Sequence, residues 1–247
     1  MLTPDQLMAL TPEEIGTHLS GPPETRAAFV RAAADAGMAD AQAVYGQMLL
    51  DGAGVARDPA AALGWFTRAA AQHHVTGINM VGRCYDLGWG TTPDKMRAAE
   101  CYRIAAEAGL DWGMYNYATL LALGEGVAED KAAALDWLER AAALGNVKAV
   151  NFVGSFAEDG WVAPRDMAKA ARCYERAAAG GDFRGCFNHA RMLAEAGRMD
   201  EALHWIGRAG ALGNARFVAQ VRDWLAACPH AALRSRGPAA LAGARAC

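Results

Sequence analysis

The stretch Arg140-Ala141-Ala142-Ala143-Leu144-Gly145 is one copy of a motif that returns along the chain at a fixed interval. Ala32-Ala33-Ala34-Asp35-Ala36-Gly37, Arg68-Ala69-Ala70-Ala71-Gln72-His73, Ile104-Ala105-Ala106-Glu107-Ala108-Gly109 and Arg176-Ala177-Ala178-Ala179-Gly180-Gly181 carry it at steps of 36 residues. A further copy, Arg208-Ala209-Gly210-Ala211-Leu212-Gly213, follows after 32. A period of this length marks a solenoid, in which each unit is one supersecondary element that buries its apolar face only against its neighbours.

Each period divides into two helices. Ala39, Ala43, Gly46 and Leu50 lie at helical spacing, and Gly52 interrupts them; Gly88, Gly124 and Gly160 repeat Gly52 in register. Such glycines belong just past a helix end, where the chain turns left-handed. This predicts the end of a helix A. Asp58, Asp94, Asp130 and Asp166 share the interval, and each precedes an alanine-rich run. They suit the N-cap of a helix B, with Pro59 at a first helical position that has no N–H to satisfy. An aligned calcium or acid-base array would also use four aspartates, but capping accounts for their spacing and neighbours without a ligand. Small residues at Gly46, Gly82, Ala118, Gly154 and Ala190 of helix A, and at Ala62, Ala98, Ala134, Ala170 and Ala202 of helix B, let the helices approach closely. Phe29, Trp65, Cys101, Trp137, Cys173 and Trp205 share one position and are expected in the core.

The register Ala41, Tyr45-Gly46, Leu49, Gly52, Gly54-Val55, Asp58, Ala62, Trp65, Arg68-Ala69-Ala70 resembles the Sel1-like repeat, a longer relative of the tetratricopeptide repeat. Leu120-Leu121, Gly124-Glu125-Gly126-Val127, Asp130, Ala134, Trp137 and Arg140-Ala141-Ala142 resemble it equally. The resemblance covers about residues 38–213. It implies an all-α superhelical solenoid of helical hairpins and an adaptor that holds other proteins. Departures are few: Trp89 stands between Gly88 and Gly90, Thr91 replaces a valine, and Trp161-Val162 replaces the expected second glycine. The fifth unit lacks four residues between its helices, so Gly197-Arg198-Met199-Asp200-Glu201-Ala202 reads as a tetratricopeptide-like turn.

The flanks complete the organisation. Thr3-Pro4-Asp5-Gln6 and Thr11-Pro12-Glu13-Glu14 fit capping boxes, so residues 1–23 are expected to hold two short helices. Residues 24–37 supply a B-type capping helix, 38–213 about five repeats, and 214–228 an amphipathic capping helix carrying Phe217, Val218, Val221, Trp224 and Leu225. From Pro229 the chain has little apolar bulk among His230, Arg234, Arg236 and Arg245, which predicts a mobile tail, with a basic contact site as the alternative.

Composition narrows the function. The chain has 247 residues, 53% hydrophobic and 21% charged, with net charge −3. That composition folds without disorder and offers no global basic field for nucleic acid. No run approaches a membrane span, and residues 1–16 lack the features of a secretion signal, so a cytoplasmic monomer is expected. Six cysteines follow no CxxC spacing and read as reduced packing thiols.

Neither a Gly-x-Ser-x-Gly elbow, a His-Glu-x-x-His helix nor a phosphate loop occurs, so no catalytic residue and no cofactor are expected. His73-His74 falls at a helix B end, where His73 replaces the glycine of other copies. Cys173, Cys186 and His189 can approach one another, but a zinc site needs a fourth ligand and His204 lies on a variable position. The competing class is an enzyme or small-molecule sensor: some secreted relatives with paired cysteines in each repeat are linked to β-lactam binding or hydrolysis. Cysteine does not recur in pairs here.

The tetratricopeptide resemblance implies that helix A lines the concave face and that four of its positions reach a ligand. In this chain those positions include Asn79, Arg83 and Asp86; Trp112, Tyr115 and Thr119; Lys148, Asn151 and Ser155; and Arg184, Phe187 and Arg191. They differ between copies while the scaffold positions repeat. Arginine, lysine and asparagine suit carboxylates or peptide carbonyls, and the aromatics suit anchoring, so an extended peptide or partner helix with acidic character is expected.

Overall fold

The computed structural model describes residues 6–7 and 9–243. Thr3, which opens the first expected capping box, and Arg245 and Cys247 lie outside them. Among the described residues the chain is all α, with no strand. It divides into two compact units, Met1–Asp130 and Lys131–Cys247.

The first unit contains α1 (Pro12–Ser20), α2 (Pro23–Asp35), α3 (Ala39–Asp51), α4 (Pro59–Ala71), α5 (Val75–Leu87), α6 (Lys95–Glu107) and α7 (Asp111–Leu123). The second contains α8 (Lys131–Ala143), α9 (Val147–Asp159), α10 (Met167–Ala179), α11 (Phe183–Glu195), α12 (Met199–Leu212), α13 (Ala215–Ala227) and α14 (Ala231–Gly243). From α1 to α7 and from α8 to α12 each helix packs on the next in sequence, the architecture of a solenoid.

Local chemistry sets these boundaries. Gly52, Gly88, Gly124 and Gly160 end helix A with φ of 72°, 72°, 66° and 69°. A Cβ is disfavoured in that left-handed conformation. Asp58 accepts from the N–H groups of Ala60 and Ala61, Asp94 from Arg97, and Asp166 from Lys169. Each removes one or two of the four orphan donors at a helix start. Thr11 and Glu14 form a reciprocal capping box at the start of α1.

The core position of helix B lies one residue beyond the expected one. Trp65, Cys101, Trp137, Cys173 and Trp205 are only partly buried, whereas Phe66, Tyr102, Leu138, Tyr174 and Ile206 are at most 1% exposed. The tryptophans sit at the rim, where an arginine can lie over the indole: Arg68 is 4.4 Å from the Trp65 ring and Arg140 4.8 Å from that of Trp137.

The identity of this core residue dictates its neighbours on helix A. A Cβ on Gly154 would lie 2.7 Å from the Tyr174 ring, and one on Gly82 would lie 2.8 Å from Tyr102. Where helix B carries Ile206 instead, the matching helix A position in the same unit is Ala190, fully buried. Tyrosine therefore needs glycine opposite it, whereas a branched aliphatic leaves room for a methyl group. The phenol also needs an acceptor: Tyr174 Oη donates to Glu158 at 2.6 Å, and Tyr102 Oη to Asp86 at 3.1 Å. These two triads stand 72 residues apart, one in each unit.

Val162 stands where Gly54, Gly90 and Gly126 occupy earlier loops. A Cβ at Gly126 would lie 2.1 Å from the carbonyl oxygen of Lys95, so the glycine loop rests directly on the start of the preceding helix B. Valine cannot make that approach. In the second unit the loop is held differently, by Trp161 packed edge-on against Phe156 with centroids 4.8 Å apart.

The expected mobile tail is corrected. Residues 231–243 form α14, which packs on α12 and α13 with Leu233 and Leu241 buried. Backbone approach compensates for its few apolar side chains: a Cβ at Gly237 would lie 2.5 Å from Leu225, and one at Gly210 only 2.3 Å from the carbonyl oxygen of Leu241. The basic residues are also engaged. Arg234 donates to the carbonyls of Cys228 and Pro229 at 2.6 and 2.9 Å, closing α13, and Arg236 pairs with Asp200.

Candidate partner-binding faces

Each unit presents its own set of helix A residues. In the first, α5 and α7 are joined side by side by a hydrogen bond from Asn116 Nδ2 to Asn79 Oδ1 at 3.0 Å. Asn79 is 5% exposed, so it links repeats and has no surface to offer a ligand. Asp86 is likewise engaged, accepting from Tyr102 and Lys95, and Lys95 also pairs with Glu125 at 2.7 Å. Burial lowers the Lys95 pKa, but the two carboxylates outweigh it and hold the ammonium charged. Arg83 is half-buried with its guanidinium 4.7 Å from the Trp89 ring centroid. Trp112 is 44% exposed and meets Tyr115 edge-on, 6.1 Å between centroids. Thr119 donates its hydroxyl to the carbonyl of Tyr115.

The second unit repeats the pattern with different charges. Asn188 Nδ2 donates to Asn151 Oδ1 at 2.9 Å, and Asn151 is 8% exposed, so this residue too belongs to the scaffold. Arg191 forms an ion pair with Glu158 at 2.8 Å, and Ser155 Oγ lies 3.3 Å from Tyr174 Oη, whose hydrogen goes to Glu158. Burial pushes the Glu158 carboxyl up, but the hydrogen bonds from Arg191 and Tyr174 overcome it and hold the pKa below the usual value. Phe187 packs edge-on against Trp224 at 5.0 Å. Arg184 is exposed over the Phe183 ring, and Lys148 occupies the same helix position on α9.

Of the twelve residues expected at the ligand, Asn79 and Asn151 are withdrawn because they are buried between helices. Asp86 and Arg191 are tied into ion pairs. Arg83, Trp112, Tyr115, Lys148 and Arg184 keep exposed or half-exposed surface, and Thr119, Ser155 and Phe187 lie half-buried beside them. Trp89 stands out in the sequence as a loop departure, but its place beside Arg83 and the Asn116 and Asn188 donors do not. The recurrence of both asparagine pairs at 72 residues, where the scaffold recurs at 36, was the available signal.

No group of three or more potential metal ligands is assembled among the described residues. His189 packs edge-on against Trp205, and burial lowers its pKa, disfavouring imidazolium. Cys84 and Cys186 are buried thiols with pKa values pushed up to about 11 by desolvation, which keeps them protonated and unreactive. No helix among the described residues is long and apolar enough to cross a membrane.

Hairpins stacked in register and faces that differ from copy to copy define an all-α repeat scaffold. The Sel1 repeat model matches residues 39–74, 76–110, 113–146 and 147–182, more than half of the chain, and the chain belongs to that family. No curated protein matches it. Among solved structures it is similar to a protective antigen present in uropathogenic Escherichia coli strains that displays an SLR fold, at 22% identity and a TM-score of 0.68. That match covers 99% of this chain but only 54% of the other, so this chain spans about half its length. A Sel1 repeat protein from Oxalobacter formigenes matches at 25% identity and TM-score 0.67, covering 85% of this chain and 80% of that one. An immunity protein from Pseudomonas aeruginosa shares the fold at 15% identity and TM-score 0.58, covering 84% and 80%.

Proposed function

We propose that the chain is an adaptor that binds a protein or peptide on its helix A faces, without chemistry of its own. The observation that carries this reading is the split between two sets of positions. The core residues, capping aspartates and closing glycines recur at 36 or 72 residues. The surface positions of the same helices vary instead: Trp112, Lys148 and Arg184 follow one another at one position, and Arg83, Thr119, Ser155 and Arg191 at another. A scaffold alone gives no reason to place such side chains there, whereas aromatic and arginine residues are the usual anchors of protein interfaces. The five described cysteines are free thiols, which fits a reducing compartment such as the cytoplasm.

The test is affinity capture from the native cell with the wild-type chain, with Trp112→Ala/Arg83→Glu, and with Arg184→Glu. A partner retained by the wild type and depleted by one of the variants is expected. Recovery of the same proteins at the same levels by all three would overturn the reading.

A further inference from the structure

Helix A ends in an acidic residue at Asp51, Asp159 and Glu195, but α5 and α7 end in Leu87 and Leu123. Both leucines are exposed, at 52% and 56%, and they hold the same position on helices that Asn79 and Asn116 tie together. Neither serves the core. Three helical turns earlier on α7, roughly 16 Å at ~1.5 Å per residue, stands Trp112, 44% exposed on the same side of the helix.

Arg83 lies between these apolar ends, on α5 at the position Thr119 holds on α7. One face of its guanidinium is over Trp89, and its one hydrogen bond among the described residues is a long contact of 3.7 Å to Met80 Sδ. It makes no ion pair among the described residues, while the neighbouring carboxylates Asp86 and Glu125 are both taken by Lys95. A half-buried guanidinium stacked on one face still presents a planar fork suited to a carboxylate.

We propose that this face of the first unit takes an amphipathic helix of a partner protein. Its apolar side chains would lie against Trp112 and against Leu87 and Leu123, with an aspartate or glutamate between them on Arg83. The proposal rests on the adaptor reading and names the chemistry of the partner. A helix is the fitting occupant because features on α7 follow one another at about 5.4 Å per turn, the spacing of a helix laid alongside. Side chains on one face of an extended strand recur at about 6.6–6.8 Å and drift out of step within three such intervals.

The test is phage display of helix-forming peptides, randomised along one face, panned against the full-length chain and against Arg83→Glu, Leu87→Ala/Leu123→Ala and Arg184→Glu. Wild type is expected to enrich peptides with an acidic residue one to two turns from large apolar ones. The Arg83→Glu change should weaken them about tenfold or more and enrich lysine or arginine at the acidic place. Leu87→Ala/Leu123→Ala should weaken them too, and these exposed positions leave the circular dichroism spectrum unchanged. Arg184→Glu, in the other unit, should leave them unaffected. An enriched set without acidic preference, an identical set on Arg83→Glu, or no enrichment on wild type would overturn the proposal. Peptides lost on Arg184→Glu but kept on Arg83→Glu would overturn it while leaving the adaptor reading standing.

Discussion

Tyr174 donates its phenolic hydrogen to Glu158 at 2.6 Å, reaching from helix B to helix A across the space that Gly154 leaves open. Large residue, small residue and acceptor form one unit of specification, repeated as Tyr102, Gly82 and Asp86. Gly154→Ala should therefore overpack the hairpin and destabilise it by about 1–3 kcal/mol. Adding Tyr174→Ile, which reproduces the pairing of Ile206 with Ala190, should recover much of that loss. Urea unfolding of the two single variants and the double variant measures the coupling, and simple additivity would contradict the account.

Asp182 caps α11 by accepting from the Gly185 N–H at 2.7 Å, but its Oδ1 is buried without a partner. Burial raises its pKa, so the folded state favours the protonated form. The sign follows: its contribution is greatest below the unfolded value and is lost as pH rises through the folded one. Asn146 performs the same capping role one repeat earlier, accepting from Ala149 without a charge. Asp182→Asn should then stabilise the chain at pH 7 by about 1 kcal/mol, and the gain should vanish in acid. Denaturant midpoints at pH 7 and pH 3 check both halves.

His73 has φ of 59°, where Gly37, Gly109, Gly145 and Gly181 occupy the corresponding turn. The left-handed conformation costs a side chain about 1–2 kcal/mol, while glycine loosens the unfolded chain by roughly 0.4–1 kcal/mol. His73→Gly should gain about 0.5 kcal/mol net of these terms. A lower thermal midpoint would show that the imidazole makes a compensating contact.

Leu233 on α14 is fully buried. Its replacement by alanine should cost about 2–5 kcal/mol and open residues 231–243 to protease. If both stability and cleavage stayed at wild-type levels, the helix would not be docked in solution.

Much of the fold was legible because solenoid packing asks the same thing of every copy. The glycine after helix A and the aspartate before helix B answer local backbone needs, so a single sequence displays them. The core position was displaced by one residue because Trp65 and Trp137 are the bulkier members of adjacent pairs, and bulk alone does not tell rim from interior. Helix α14 was missed because it docks through Gly237 and Gly210, where the absence of a side chain is what allows contact. Asn79 and Asn151 were assigned to the ligand face because their partners, Asn116 and Asn188, become neighbours only once the helices are stacked. Arg83 is half-buried on helix A, and its pairing with Trp89 depends on a loop departure whose direction the sequence does not reveal.

The claim that the helix A faces receive a partner is tested most directly by photo-cross-linking in the native cell. A photoreactive phenylalanine analogue would replace Trp112, Thr119 or Arg184 on helix A, and Glu100 or Asp136 on exposed helix B surface. A discrete protein adduct is expected from at least one helix A position and none from the helix B positions. Adducts confined to Glu100 and Asp136 would contradict it.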